Sequence, residues 1–264
     1  MKVVIAKDPA EMADFAARFV ANIIRNQDHT RLALATGQTM IGFYDALVRL
    51  YRDGEVSFQE CTTFNLDEYV GIPEDHPGSF HRYMHEHFFD FVDLPSSQAF
   101  LPDGNAQNPV EEAQRYEDRI REAGGLDVAI AGIGVNGHIA FNEPGSSLAS
   151  RTRVKTLSEE TRRVNSKAFG GLIDLVPRYV ITMGVGTLTD AHFIVLMASG
   201  PSKADAIAAT VEGPVTAMCP ASILQMHPHA FVIIDRDAAT RLSGSYQLVN
   251  EVLGDPYEEY FWGI

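Results

Sequence analysis

Residues 126–145, LDVAIAGIGVNGHIAFNEPG, join an apolar run to a glycine-rich turn that carries polar side chains. The apolar run, residues 126–131, is typical of a buried strand. A strand that ends in such a turn brings polar side chains to the carboxyl edge of an α/β sheet, where ligands bind. His138 can transfer protons near neutral pH, and Glu143 can orient it or balance its charge. This segment is therefore interpreted as a proton-transfer site.

Apolar runs alternate with helix-forming stretches along the rest of the chain. Strands are predicted for residues 3–6, 31–35, 62–66, 126–131, 192–198 and 230–234. Helices are predicted for residues 9–26, 40–52, 79–89 and 110–123, with another after residue 203 that ends near 211. This alternation predicts an open, mostly parallel, doubly wound (Rossmann-like) α/β sheet flanked by helices.

The composition limits the domain count and the classes of partner. No linker divides the 264 residues, of which 45% are hydrophobic, so a single domain spanning 1–264 is predicted. The net charge of -14 argues against nucleic acid and anionic membranes as partners. No apolar run is long enough to span a bilayer, and no basic-then-apolar leader is present. We expect a cytoplasmic protein in which Cys61 and Cys219 are reduced thiols.

Polar groups follow several of the predicted strands at the point where each strand ends. They are Thr36-Gly37-Gln38-Thr39, Asp67-Glu68, Asn136 to Glu143 and Ser199 to Lys203. The carboxyl ends of parallel strands share one edge of an open sheet, so we expect these strand-to-helix connections to converge. This convergence is a stronger signal of a ligand site than any one of the four segments.

Each segment also has a simpler structural interpretation. The segment 36–39 opens a helix whose free N–H groups suit a phosphate, although an ordinary capped turn has the same sequence features. It lacks the Gly-Lys-Ser/Thr of a Walker loop, and residues 132–134 do not complete a dinucleotide fingerprint. Asp67 is either a general base or a turn former, and Lys203 either a phosphate ligand, a Schiff-base lysine or a surface cation.

Two clusters of charged or titratable residues lie outside these segments. Residues 151–167 hold six of the 21 Lys and Arg residues, which indicates either a solvated helix face or a local anion site. His76, His81, His85 and His87 lie close together, but no acidic or cysteine partner completes a metal pattern. We therefore expect an aromatic-rich helix surface there, and neither a metal nor a cofactor.

Five stretches of the sequence resemble a known family, in the order in which that family has them. They are LATGQT at 34–39, FNLDEYVG at 64–71, GHIAFNEP at 137–144, SRTR at 150–153 and GVGTL at 184–188. On these motifs the chain resembles the glucosamine-6-phosphate deaminases, also called isomerases, over most of its length to about Asp235. The related 6-phosphogluconolactonases would follow Gly-His with Ala-Ser-Leu-Phe-Pro, which this chain lacks.

The resemblance implies a metal-free reaction in which glucosamine 6-phosphate and water give fructose 6-phosphate and ammonia, reversibly. In the family, the histidine matching His138 moves the ring-opening proton with support from the carboxylate matching Glu143. The aspartate matching Asp67 moves a proton between carbons 2 and 1 through an enolamine. The positions matching Thr36, Gly37, Gln38, Thr39, Lys167 and Lys203 hold the substrate phosphate.

The chain departs from the family pattern at two of these positions. Asn136 lies where some members carry aspartate beside the histidine, and Lys167 lies where some carry arginine. Asparagine accepts a hydrogen bond from the ring but brings no charge, so we hypothesise that Glu143 alone stabilises the imidazolium. Lysine at 167 loses the bidentate geometry of arginine, which predicts weaker substrate binding.

The resemblance also bears on assembly and regulation. Some members are hexamers activated by N-acetylglucosamine 6-phosphate, and a homo-oligomer is therefore expected. Ser146, Arg153 and Lys155 match the phosphate-holding positions of the activator site. The tail 244–264 diverges from the family, and Val249 occupies the register of a tyrosine that activated members contribute. Weak or absent activation is predicted.

Three alternatives to the deaminase stay open on the sequence. A galactosamine-6-phosphate deaminase would differ in the substrate's configuration at carbon 4, and a lactonase-like enzyme would share the fold. A non-catalytic sugar-phosphate sensor would bind without turnover. A sensor would not need all three proton-transfer groups, so the joint presence of Asp67, His138 and Glu143 favours an enzyme.

Overall fold

A parallel sheet with helices on both faces forms the centre of the molecule. The computed structural model describes residues 1–253, so the last part of the predicted 244–264 tail lies outside the described residues. The strands are β1 Lys2–Ala6, β2 Thr30–Leu34, β3 Cys61–Asn65, β4 Asp67–Tyr69, β5 Ala99–Phe100, β6 Val128–Gly132, β7 Arg153–Thr156, β8 Tyr179–Thr182, β9 Phe193–Ala198, β10 Ala230–Asp235 and β11 Gln247–Leu248. The helices are α1 Pro9–Arg25, α2 Gln38–Arg52, α3 Phe80–His87, α4 Pro109–Glu122, α5 Glu159–Asn165, α6 Val185–Thr189, α7 Ala204–Val211 and α8 Val249–Leu253.

The predicted doubly wound α/β fold is confirmed. Within residues 1–253 the main sheet has eight strands in the order β11-β1-β10-β9-β6-β2-β3-β5, and every pair is parallel. All the predicted strands are present, with bounds that differ by a few residues at most. The central strands β6, β9 and β10 are almost continuously buried, as expected for a parallel sheet covered on both faces.

A second, antiparallel sheet was not predicted from the sequence. In the described part of the chain it has three strands in the order β4-β8-β7, with Asp67 opposite Thr182 and Tyr69 opposite Val180. The segment Asp67-Glu68 is therefore a strand and not the strand-to-helix connection that we expected. Strand β7 falls within the basic run 151–167, whose charges hide a strand signal in the sequence.

Local sequence signals explain where the main helices begin. Asp8 caps α1 by accepting a hydrogen bond from the Glu11 N–H at 2.8 Å, as its position before Pro9 predicts. The Asn108 side chain caps α4, and Ser79 caps α3. Helix α1 then packs on the sheet through Phe19, whose ring centroid lies 4.6 Å from that of Phe231 on β10.

The small sheet has its own apolar cluster. It packs mainly around Tyr69, whose ring contacts Phe80, Phe141 and Phe169. The Phe141 N–H donates to Thr182 Oγ1 at 3.2 Å, which links this sheet to the segment that follows β6. None of the helices in residues 1–253 is long and apolar enough to cross a membrane.

Candidate active site

The polar segments identified in the sequence meet at the carboxyl edge of the main sheet. Strands β9, β6, β2 and β3 are neighbours in that order, so the residues that follow them lie side by side. Lys203 Nζ, after β9, donates to the Ile133 carbonyl after β6 at 2.7 Å. The Leu66 N–H, after β3, donates to the Leu34 carbonyl at the end of β2 at 3.0 Å. These hydrogen bonds join the loops in two adjacent pairs, one after β9 and β6 and the other after β3 and β2.

The backbone around His138 leaves room for its ring by using glycine. A Cβ at Gly134 would lie only 2.1 Å from His138 Cε1, so a side chain there would displace the imidazole. Gly137 has φ +81°, a conformation that side-chain-bearing residues rarely adopt. Ala140 also has a positive φ of 48°, which marks a strained turn in this segment.

An amide connects His138 to Glu143. His138 Nδ1 lies 2.7 Å from Asn136 Oδ1, and Asn136 Nδ2 donates to Glu143 Oε2 at 2.8 Å. The direct distance from His138 Nδ1 to Glu143 Oε2 is 3.7 Å, which is too long for a hydrogen bond. Asn136 is therefore the residue through which Glu143 orients the imidazole.

The charges in this relay are set by burial and by hydroxyl groups. Burial lowers the pKa of His138 below its ordinary value; Glu143 acts in the opposite direction, and Lys203 adds to the lowering. Burial by itself would raise the pKa of Glu143, but hydrogen bonds from Thr161 and Asn136 and the proximity of His138 lower it instead. The site thus favours a neutral imidazole beside an ionised carboxylate.

Asp67 lies at the start of β4 with only 5% of its surface exposed. Burial raises the pKa of Asp67 well above its usual range, and the adjacent Glu68 carboxylate raises it further. Glu68 accepts hydrogen bonds from the N–H groups of Phe80 and His81 at the start of α3. Burial nevertheless raises the pKa of Glu68 to about 7. A buried carboxylate with a raised pKa is suited to taking a proton from carbon.

The segment 36–39 provides a helix N-terminus at the same edge. Gly37 is the N-cap of α2 with φ 118°, and among the described residues no side chain caps this helix. The Tyr83 hydroxyl on α3 donates to the Gly37 carbonyl at 2.8 Å and fixes the turn. Uncapped N–H groups and the positive end of the helix dipole suit an anion. The Lys203 ammonium lies at Ile133, in the loop after the neighbouring strand β6. Burial lowers the pKa of Lys203.

Lys167, a further predicted substrate ligand, lies on a turn whose Phe169 packs against Tyr69 of the small sheet. It is exposed on the turn Ser166–Phe169, and no hydrogen bond or ion pair within residues 1–253 ties it to another group. The turn follows α5, whose opposite end contacts Glu143. Its placement therefore depends on how this segment packs, which the sequence does not encode locally.

The residues matched to an activator site lie on the small sheet and beside Glu143. Arg153 and Lys155 alternate on β7 and so share one of its faces. The Ser146 hydroxyl is buried without a hydrogen-bond partner among the residues described. Val249 is in α8 with 4% of its surface exposed, and packs into the core. Part of the basic run 151–167 is engaged internally, since Arg151 pairs with Glu117 and Asp190 and Arg162 donates to backbone carbonyls.

Sequence reasoning missed several residues that support the site. Ser158 and Thr161 at the start of α5 both donate to Glu143 Oε1. Tyr83 holds the Gly37 turn, and Asp235 at the end of β10 holds Ser199 and Gly200. The only sequence signal for these was Ser158-Glu159-Glu160-Thr161, which reads as a helix start. No group of His, Cys, Asp and Glu within residues 1–253 is arranged to hold a metal ion.

The fold and the site define an α/β enzyme that combines acid–base groups with an uncapped helix N-terminus suited to an anion. Comparisons with known proteins narrow this class. The family described as glucosamine-6-phosphate isomerases/6-phosphogluconolactonase matches residues 7–233. The chain belongs to this family.

Individual members of the family are similar over nearly the whole chain. The glucosamine-6-phosphate deaminase of Shewanella halifaxensis is 46% identical over 243 residues, covering 92% of each protein. That of Hahella chejuensis is 48% identical over 242 residues, also covering 92% of each. The structure of a monomeric glucosamine-6-phosphate deaminase matches with a TM-score of 0.89 at 43% identity, covering 92% of this chain and 100% of that one. A 6-phosphogluconolactonase from Trypanosoma cruzi shares the fold, with a TM-score of 0.73 at 20% identity over 92% of this chain and 97% of that one.

Proposed function

We propose that this protein is a glucosamine-6-phosphate deaminase that converts glucosamine 6-phosphate and water into fructose 6-phosphate and ammonia. The observation that carries this is the presence, at one edge of the sheet, of an oriented His138 whose pKa is lowered by burial and of a separate buried carboxylate, Asp67. The reaction requires one group that moves a hydroxyl proton and another that removes a proton from carbon. His138 suits the first task and Asp67 the second. The relatives that carry the same name cover 92% of the chain.

His138 opens the sugar ring in this mechanism. Asn136 Oδ1 lies at hydrogen-bond distance from Nδ1, and the remaining nitrogen, Nε2, is the one left to exchange a proton with the substrate. It moves the anomeric hydroxyl proton to the ring oxygen, which gives the open-chain aldehyde. Glu143 stabilises the protonated imidazole of His138 through Asn136. Only the open chain has a hydrogen at carbon 2 that is acidic enough to be removed.

Asp67 then moves the proton between carbons. Its carboxylate takes the proton from carbon 2, which gives an enolamine, and returns it to carbon 1. Water adds to carbon 2 of the resulting imine, the C–N bond breaks, and ammonia leaves. Burial raises the pKa of Asp67, so its carboxylate is a stronger base than one in water.

The helix N-terminus at residues 36–39 and Lys203 hold the substrate phosphate. The net charge of the chain is -14, so long-range attraction does not favour an anionic substrate. Local donors must supply the binding, and this assignment is supported by the uncapped first turn of α2 and by the Lys203 ammonium at the Ile133 carbonyl. Lys167, an exposed cation on a turn near Tyr69, joins them in this proposal.

Ammonia release from glucosamine 6-phosphate, coupled to detection of fructose 6-phosphate, tests the function. Galactosamine 6-phosphate and 6-phosphogluconolactone are assayed beside it. We expect stoichiometric release from the gluco sugar and a loss of about 10²–10⁴-fold in Asp67→Asn. Asp127→Asn, which removes a carboxylate at the opposite edge of the sheet, is the matched control. Turnover of the lactone alone, or phosphosugar binding without turnover, would contradict the proposal.

The remaining expectations concern location, assembly and regulation. A cytoplasmic location stays a prediction from the composition. A homo-oligomer, with a hexamer as one form, stays a prediction from the family resemblance, and a similar solved structure is described as monomeric. Weak or absent activation by N-acetylglucosamine 6-phosphate is supported by Val249, which is a buried apolar residue of α8.

A further inference from the structure

Asp235 occupies a buried position beneath one of the loops of the site. It ends β10, which pairs with β9 in the sheet, and only 2% of its surface is exposed. Its carboxylate accepts from Ser199 Oγ at 2.6 Å and from the Gly200 N–H at 3.1 Å and 3.0 Å. It also accepts from the Ala238 N–H at 2.8 Å. Both carboxylate oxygens are therefore used, and three of these four contacts go to the loop that follows β9.

That loop leads directly to Lys203. Gly200 has φ +88°, which turns the chain away from β9. The Gly200 carbonyl accepts from the Lys203 N–H at 3.1 Å. Lys203 then directs its ammonium to the Ile133 carbonyl at 2.7 Å, beside the turn that carries His138. Two successive hydrogen bonds through Gly200 thus connect the Asp235 carboxylate to the backbone of Lys203.

We propose that Asp235 is a positioning residue for substrate binding, which fixes the loop Ser199 to Lys203 so that the Lys203 ammonium meets the substrate phosphate. This inference rests on the proposed function and extends it to a residue outside the reacting groups. Asp235 itself does not contact the phosphate, because the loop covers it. The surrounding N–H and O–H groups donate hydrogen bonds to its carboxylate. Such bonds are shorter and stronger when the acceptor is a carboxylate than when it is neutral.

The predicted kinetic signature separates this role from catalysis. A residue that holds a phosphate ligand in place affects ground-state and transition-state binding alike, since the phosphate is bound in both. We expect Asp235→Ala to raise KM for glucosamine 6-phosphate about tenfold while kcat stays within about twofold. The inhibition constant for inorganic phosphate should rise by a similar factor.

Asp235→Asn is the conservative variant. Its amide oxygen still accepts from the Gly200 and Ala238 N–H groups, and its amide nitrogen donates to Ser199 Oγ. We expect it to keep KM within about threefold of the parent. Asp127→Asn, at the amino edge of the sheet, is the matched control and should leave KM and phosphate inhibition unchanged.

A double-mutant cycle shows whether Asp235 acts through Lys203. If it does, the effect of Asp235→Ala on phosphate inhibition should nearly vanish in a Lys203→Ala background. The proposal would be overturned if the two substitutions changed the inhibition constant for phosphate by independent factors that multiply in the double variant. It would also be overturned by a loss of thermal stability in Asp235→Ala with KM and phosphate inhibition unchanged, since that would mark Asp235 as a purely structural residue.

Two further measurements keep the proposal testable if a variant or the assay fails. Should Asp235→Ala not fold, Ser199→Ala removes one of the carboxylate contacts and should raise KM in the same direction. Should the parent protein release no ammonia from any amino-sugar phosphate, the proposed function fails. Calorimetric binding of inorganic phosphate then tests Asp235 alone, and equal phosphate affinity in the parent and Asp235→Asn but not in Asp235→Ala would still support it.

Discussion

Asn136 determines which nitrogen of His138 carries a proton. Its Oδ1 lies 3.3 Å from the His138 backbone N–H, which donates to it, and 2.7 Å from ring Nδ1. Its Nδ2 donates to Glu143, which as an ionised carboxylate can only accept. The amide orientation is thus fixed from both sides, and Nδ1 must be a donor. Nε2 is therefore the free base of the neutral ring, as ring opening requires.

Asn136→Asp tests the consequence of having an amide and not a carboxylate at this position. A second negative charge beside the ring stabilises the imidazolium, so the pKa of His138 should rise. The acid limb of the pH profile of kcat/KM should then move to higher pH. Asn108→Asp is the control, because aspartate also caps a helix at that remote position. An unchanged pH profile in Asn136→Asp would contradict the hypothesis that Glu143 alone stabilises the imidazolium of His138.

At the scale of elements, the start of α5 holds the carboxylate that orients His138. Ser158 is the N-cap of α5 and also donates to Glu143 Oε1 at 3.1 Å, and Thr161 donates to the same oxygen. Hydroxyl donors and the positive end of a helix both favour the ionised form of a carboxylate. The packing of this short helix against the turn after β6 therefore controls the charge of Glu143.

Thr161→Val removes one of these donors without a large change in volume. The pKa of Glu143 should rise, since the Thr161 hydrogen bond is the strongest of the contacts that lower it. We expect kcat/KM to fall about three- to tenfold at neutral pH. Thr189→Val removes a hydroxyl that, within residues 1–253, bonds only to carbonyls of α6, and it should retain full activity. Equal activity in both variants would contradict this role for α5.

At the scale of the whole molecule, burying Asp67 costs stability. Its pKa is raised in the folded protein, so the folded state binds a proton more tightly than the unfolded chain does. The free energy of unfolding therefore falls as pH rises above the unfolded pKa of 3.8, and the full cost is present above the folded pKa. In the proposed mechanism, this cost in stability accompanies the reactivity of the Asp67 carboxylate.

Asp67→Asn should accordingly raise the Tm at pH 8 by a few degrees, and the gain should disappear in acid. Thermal unfolding of parent and variant across pH measures this difference. Asp127→Asn should do the reverse and lower the Tm, because Asp127 accepts the Arg31 N–H at 2.7 Å and pairs with its guanidinium at 3.1 Å. If Asp67→Asn were less stable than the parent at pH 8, the packing or hydrogen bonds of the aspartate would contribute more stability than burying its charge costs.

The alternation of the main strands and helices along the chain was readable from the sequence, because burial patterns and caps are local, whereas the spatial order of the strands and the short strands β5 and β11 were not predicted. The runs at 126–131 and 192–198 were predicted as strands and are β6 and β9, and the position of Asp8 before Pro9 suits the cap that it forms on α1. The position of His138 after β6 and of Lys203 after β9 also followed, since parallel strands place their carboxyl ends at one edge. The family resemblance, carried by contiguous motifs, was confirmed by the comparisons.

What the sequence alone determined was therefore the fold class, the family and the edge of the sheet at which the polar residues collect. The tertiary structure alone decided that Asp67 enters a second, antiparallel sheet, that Lys167 is exposed, and that Asn136 separates His138 from Glu143. It also placed Asp235 beneath Gly200, 35 residues away along the chain. The physical reason is that these contacts join residues that are distant in sequence or depend on exact side-chain geometry, and packing, not local propensity, brings them together.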